Sequence, residues 1–109
     1  MLWRADLQDL FLTTKIRKAP PGTSPEAAAK MAKEQIAEDL SVLGVGSVDM
    51  LMLRDSPDCE VIQAQWAVLE TALAAGQTRS IVVINFCESA LRCVLKSAKV
   101  KPAVNYFML

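Results

Sequence analysis

Met50-Leu51-Met52-Leu53-Arg54 is an unbroken run of four apolar residues closed by a charge. A run this short reads as a strand, and its lack of polar alternation reads as burial on both faces. Three more runs appear on either side of it. Leu10-Phe11-Leu12-Thr13-Thr14 ends at Lys15 upstream, while Ile81-Val82-Val83-Ile84, ending at Asn85, and then Ala103-Val104-Asn105-Tyr106 lie downstream. Helical stretches separate the four runs. This alternation predicts an α/β fold with four parallel strands and three intervening helices. In parallel α/β folds the chemistry sits at the carboxyl ends of the strands. Lys15, Arg54 and Asn85 therefore mark where a site belongs.

The connecting stretches carry their own boundary signals. Pro20, Pro21 and Gly22 make a loop after Lys15. Ser24 suits an N-cap with Pro25 in the first helical position, although Thr23 with Glu26 is an alternative capping box. Ala28, Ala32, Ile36, Leu40 and Leu43 form one apolar face ending at Gly44, and Glu26 and Lys30 are spaced for an ion pair. A strand from Val48 to Leu53 follows, then a turn over Asp55, Ser56, Pro57 and Asp58, with Asp58 as the next cap. Ile62, Trp66, Leu69 and Leu73 stripe the second helix, which stops at Gly76. Gln77 to Arg79 is read as a turn into the third strand. The third helix is expected over Glu88 to Ala98, with Leu91, Val94, Leu95 and Ala98 facing inward. Asp49 reads as a structural polar residue, Trp66 as core, and Met50, Met52 and Met108 as strand packing.

Bulk composition narrows the class. The chain has 109 residues, enough for one domain, and 52% of them are hydrophobic, which argues against disorder. Lysine plus arginine equals aspartate plus glutamate, 12 against 12, so there is no basic excess for a nucleic-acid backbone. No apolar stretch approaches the roughly 20 residues that span a membrane, and the N-terminus lacks the apolar core of a secretory signal. Cys59, Cys87 and Cys93 are an odd set without a Cys-x-x-Cys pair, and there is no histidine. They are read as small buried hydrophobes, without a disulfide or a metal role, in a cytoplasmic protein. The outer strands have open apolar edges, which complete domains cover or close, so the chain is expected to be part of a larger sheet.

The series DLFLTTKI, LGVGSVDMLMLRDSPD, QWAVLETALAAGQTRSIVVINF and KPAVNYFML resembles the middle of an aldo-keto reductase, from about Asp9 to the C-terminus. The resemblance implies strands three to six of a (β/α)8 TIM barrel, which in full takes about 250 residues. Residues 1–109 would then be a fragment of an NADP-dependent barrel domain that reduces aldehydes or ketones by hydride transfer from NADPH. It places Lys15 at the family's catalytic lysine, whose charge lowers the pKa of a proton-donating tyrosine. Arg54 stands where the family has a histidine. Asn85 matches the asparagine that contacts the nicotinamide amide, while Ile84 replaces the family's serine there. Tyr106, after Asn105, stands where many members carry glutamine. The family's tyrosine, its aspartate and its phosphate-binding segment lie outside these 109 residues.

The resemblance therefore implies a reductase whose activity resides in a longer chain or needs a second one. That second chain includes a homodimer paired through the open sheet edges. The alternative is a non-catalytic, degenerate reductase remnant or interaction module, and a small independent nucleotide-binding domain is a third reading. That third reading finds no glycine-rich loop after the first strand, where Lys15-Ile16-Arg17-Lys18 offers none.

Overall fold

A computed structural model describes residues 11–107 of the chain. The expected alternation is present: β1 (Thr13–Lys15), α1 (Pro25–Leu43), β2 (Val48–Arg54), α2 (Cys59–Ala74), β3 (Thr78–Ile84), α3 (Glu88–Ser97) and β4 (Asn105–Tyr106). The four strands form one sheet in the order β1-β2-β3-β4, and every neighbouring pair is parallel. Four consecutive parallel strands with a helix after each of the first three make a partial (β/α)8 barrel.

Both faces of the central strands are buried, as their continuous apolar sequence requires. Leu51, Leu53, Ile81 and Val83 pack with Ile36, Ile62, Trp66, Leu69 and Val94 in the core between sheet and helices. Met50, Met52, Val82 and Ile84 form a separate buried cluster on the opposite, helix-free face.

Caps fix where the helices begin. Ser24 caps α1 by accepting from the Ala27 N–H, with Pro25 following it, whereas the Thr23 hydroxyl donates to the Pro20 carbonyl. That decides between the two caps the sequence allows. Gly44 ends α1 in the left-handed conformation, φ 70°, where its N–H reaches the last carbonyls. Asp58 caps α2 with bonds from the N–H groups of Glu60 and Val61. Asp49 is structural: its carboxylate accepts from the Leu12 N–H at 2.8 Å and faces Arg79.

Several details depart from the sequence reading. Strand β3 begins at Thr78, inside the expected turn, because Val48 pairs with Thr78 and extends the ladder downward. Strand β4 has only two residues in the ladder, and Leu10 and Met108 lie outside the described residues. Leu95 is exposed, whereas Val94 is buried as expected, together with Ala90 and Cys93. Glu26 and Lys30 form no ion pair; the helical pair that does form is Glu88–Arg92.

The cysteine reading needs the largest correction, because Cys59 and Cys93 are joined in a disulfide and only Cys87 is free. An odd count says that one thiol is left over. It does not say that the other two stay apart, and here the start of α2 meets the middle of α3.

The loop after α3 is held from below. The Glu70 carboxylate accepts from the N–H groups of Lys99 and Val100, both at 2.6 Å. Hydrogen bonds to an ionised acceptor contribute about 1.5–3 kcal/mol. Glu70→Ala should therefore lower stability by about that amount and speed amide hydrogen exchange at Lys99 and Val100. Unchanged exchange at both amides would refute the role given to Glu70.

Candidate functional site

Register sets which side chains meet at the carboxyl end of the sheet. In a parallel ladder, paired residues project to the same face. Lys15 pairs with Met52, and Met52 with Val82, so Lys15 lies on the helix-free face. Arg54 pairs with Ile84, and Ile84 with Tyr106, so these share that face one layer higher. Lys15 and Arg54 are thus diagonal neighbours on adjacent strands, about 8 Å apart along the backbone by strand geometry. Lys15 and Arg54 are exposed, and Tyr106 is 43% exposed. Among the described residues neither cation forms an ion pair.

Asn85 immediately follows β3 and is exposed, with a positive φ of 54°. Asparagine tolerates this left-handed conformation better than most residues. The Asn85 N–H donates to the Tyr106 carbonyl at 2.7 Å, tying the two strand ends together. The structure therefore brings Lys15, Arg54, Asn85 and Tyr106 to one rim, on four adjacent strands.

Two amide side chains hold this rim, and sequence reading assigned a role to neither. Gln35 on α1 donates from Nε2 to the Lys15 carbonyl at 2.8 Å and accepts at Oε1 from the Arg17 N–H, also at 2.8 Å. Asn105 donates from Nδ2 to the Phe86 carbonyl at 3.0 Å and accepts at Oδ1 from the Phe86 N–H at 3.2 Å. Each amide imitates a strand partner at a place where the ladder has ended. A side-chain amide carries a donor and an acceptor on separate atoms, spaced as in a peptide group. A signal for Gln35 was present: it lies on the buried stripe with Ala28, Ala32 and Ile36, where a polar residue needs partners.

At the same end of the sheet, among the loops after β1, β2 and β3, lies a cavity of about 420 Å³. Lys18, Asp55, Ser89 and all three cysteines are among the residues that line it, and none of the four rim residues does. No group of metal-ligating side chains occurs among the described residues, and no described helix is long and apolar enough to cross a membrane.

The family model described as Aldo/keto reductase family matches residues 3–108. Among solved structures, the chain is similar to an aldo/keto reductase from Brucella melitensis, with 26% identity and a TM-score of 0.78 over 99% of this chain and 39% of that one. It shares its fold with MGS-M4, an aldo-keto reductase from a Medee basin deep-sea metagenome library, at 22% identity and TM-score 0.79 over 94% of this chain and 35% of that one. It also shares its fold with the Bombyx mori aldo-keto reductase AKR2E4, solved in complex with NADP, at 23% identity and TM-score 0.70 over 94% of this chain and 34% of that one. The chain thus spans well under half the length of these structures.

Proposed function

The chain belongs to the aldo/keto reductase family, and from that premise we propose that its strand-end rim is one sector of an NADPH-dependent carbonyl-reducing site. The observation that carries this reading is the convergence of Lys15, Arg54, Asn85 and Tyr106 on one rim of a parallel sheet. NADPH supplies the hydride when bound. The exposed amide of Asn85 offers a donor and an acceptor, which fits the nicotinamide carboxamide, and the half-exposed ring of Tyr106 offers a surface beside it.

Lys15 supplies positive charge where a proton donor works. Arg54 presents a planar fork of donors that stays protonated and suits a carboxylate better than a lone carbonyl. Two cations without a carboxylate partner among the described residues favour an aldehyde or ketone that carries negative charge. Phosphate recognition and the proton donor would come from segments beyond this sector. A larger chain, or a second copy seated along the β1 and β4 edges, would provide the missing walls. Phe11 is 67% exposed and Phe107 77% exposed beside those edges.

Titration of the chain with NADPH, followed by quenching of the cofactor's fluorescence, tests this. Weak, sub-millimolar binding is the expected result, because phosphate recognition lies outside this sector. Asn85→Ala should weaken it several-fold, and removal of either cation should weaken binding of a carboxylate-bearing carbonyl by about 1 kcal/mol, roughly fivefold. No binding at millimolar NADPH would overturn the proposal for this chain.

A further inference from the structure

All three cysteines of the chain line the cavity among the strand-end loops. Two of them, Cys59 and Cys93, are already bonded, and the third, Cys87, is a free and exposed thiol. We propose that these cysteines form a thiol–disulfide exchange centre, in which Cys87 attacks the Cys59–Cys93 disulfide and converts it to Cys59–Cys87. The proposal is independent of the carbonyl chemistry.

The local chemistry favours Cys87 as the nucleophile. Its Sγ lies 3.2 Å from the Ser89 hydroxyl in a hydrogen bond, and it occupies the N-cap of α3, where the helix dipole favours negative charge. The Ser89 hydrogen bond, with a smaller contribution from the Ala90 backbone, lowers the Cys87 thiol below its ordinary range.

Exposure decides which sulfur is attacked. Cys59 is the exposed first residue of α2, whereas Cys93 is 7% exposed. Attack on Cys59 Sγ forms the Cys59–Cys87 bond and breaks the Cys59–Cys93 bond. Cys93 leaves as a thiolate and takes up one proton, the one Cys87 gave up. One disulfide is exchanged for another, so no oxidant or reductant is consumed.

The surroundings suit both sides of this step. The Cys59 carbonyl oxygen lies 3.2 Å from Cys93 Sγ, so the released thiol finds an acceptor in place. As a small, nearly buried hydrophobe it then resembles the commonest state of a free cysteine. Cys87 makes no side-chain cap bond to α3, so turning its Sγ toward Cys59 across the shared cavity gives up the Ser89 contact but no helix cap. The new bond would link the loops that follow β2 and β3, which carry Arg54 and Asn85.

Trypsin separates the three cysteines. Cleavage after Arg54, Arg79, Arg92 and Lys96 puts Cys59 in residues 55–79, Cys87 in 80–92 and Cys93 in 93–96. The oxidised protein would be held at mildly alkaline pH, quenched in acid, alkylated, digested and read by mass spectrometry. The expected result is two cross-linked pairs, 55–79 with 93–96 and 55–79 with 80–92, the second on the order of a tenth of the chains or more. Cys87→Ser should leave only the first pair.

The pair 80–92 with 93–96 marks unfolding. Its cysteines are six residues apart along α3, about 9 Å of helix rise, beyond the reach of a disulfide. Alkylation confined to 80–92 would overturn the proposal. So would a second pair that arises only together with this unfolded-state pair.

Discussion

Trp66→Ala should lower the unfolding free energy by about 3–5 kcal/mol, the range for removing a buried tryptophan from a packed core. Trp66 is 1% exposed and is the largest fully buried side chain in the described structure. It lies on α2, the helix that packs against both α1 and α3 as well as against the sheet. Truncation leaves a void among Leu51, Leu53, Ile62 and Val83, which share its core. It also removes the indole N–H that donates to the Val100 carbonyl at 2.9 Å. A small domain is stable by only about 5–15 kcal/mol, so a large share of the margin would go. Trp66→Phe keeps an aromatic ring and loses the hydrogen bond, and should cost about 1–2 kcal/mol. Urea unfolding followed by circular dichroism measures both. An alanine variant within 1 kcal/mol of the parent chain would mean that the core can close over the site or that α2 is not its centre.

Gln35→Leu should cost about 2–4 kcal/mol, because two backbone groups lose their partners while the side-chain volume stays similar. Gln35 is 6% exposed. Its amide serves the Lys15 carbonyl, the Arg17 N–H and, at 3.1 Å, the Asp39 carboxylate. Leucine can serve none of these. The effect should be local as well as global: the Arg17 amide should exchange faster, while amides in the centre of β3 slow or speed only with overall stability. The end of β1 would also loosen, and with it the backbone that carries Lys15. If the leucine variant matched the parent chain in both stability and Arg17 exchange, Gln35 would be a bystander.

The rim and its supports differ in how readable they were. Lys15, Arg54 and Asn85 stand out because each closes an apolar run, and a run of that length is a strand whose end can be counted along the chain. The helix caps at Ser24 and Asp58 were legible for a similar reason, since capping side chains bond within three residues of themselves. The clamps were not. Gln35 reaches back 20 residues to Lys15, Asn105 reaches 19 residues to Phe86, and Glu70 reaches 29 residues ahead to Lys99. Helical spacing marks Gln35 as a polar residue on a buried stripe but does not name its partners, and no local pattern distinguishes Asn105 or Glu70 from ordinary surface amides and acids.

Hydrophobic periodicity and chain punctuation are short-range properties, and they determined the strands, the helices, their parallel arrangement and the level at which a site must lie. Register along the ladder then decided which of the strand-end side chains share a face. Tertiary packing alone decided that Cys59, Cys87 and Cys93 share a cavity and that the first and last of them are bonded, across 34 residues. It also decided that Leu95 faces outward and that side-chain amides take over where the ladder stops. The physical reason is one of range. Propensity and period act over a turn or a strand, whereas a bond between two helices exists only once the sheet beneath them has set their separation.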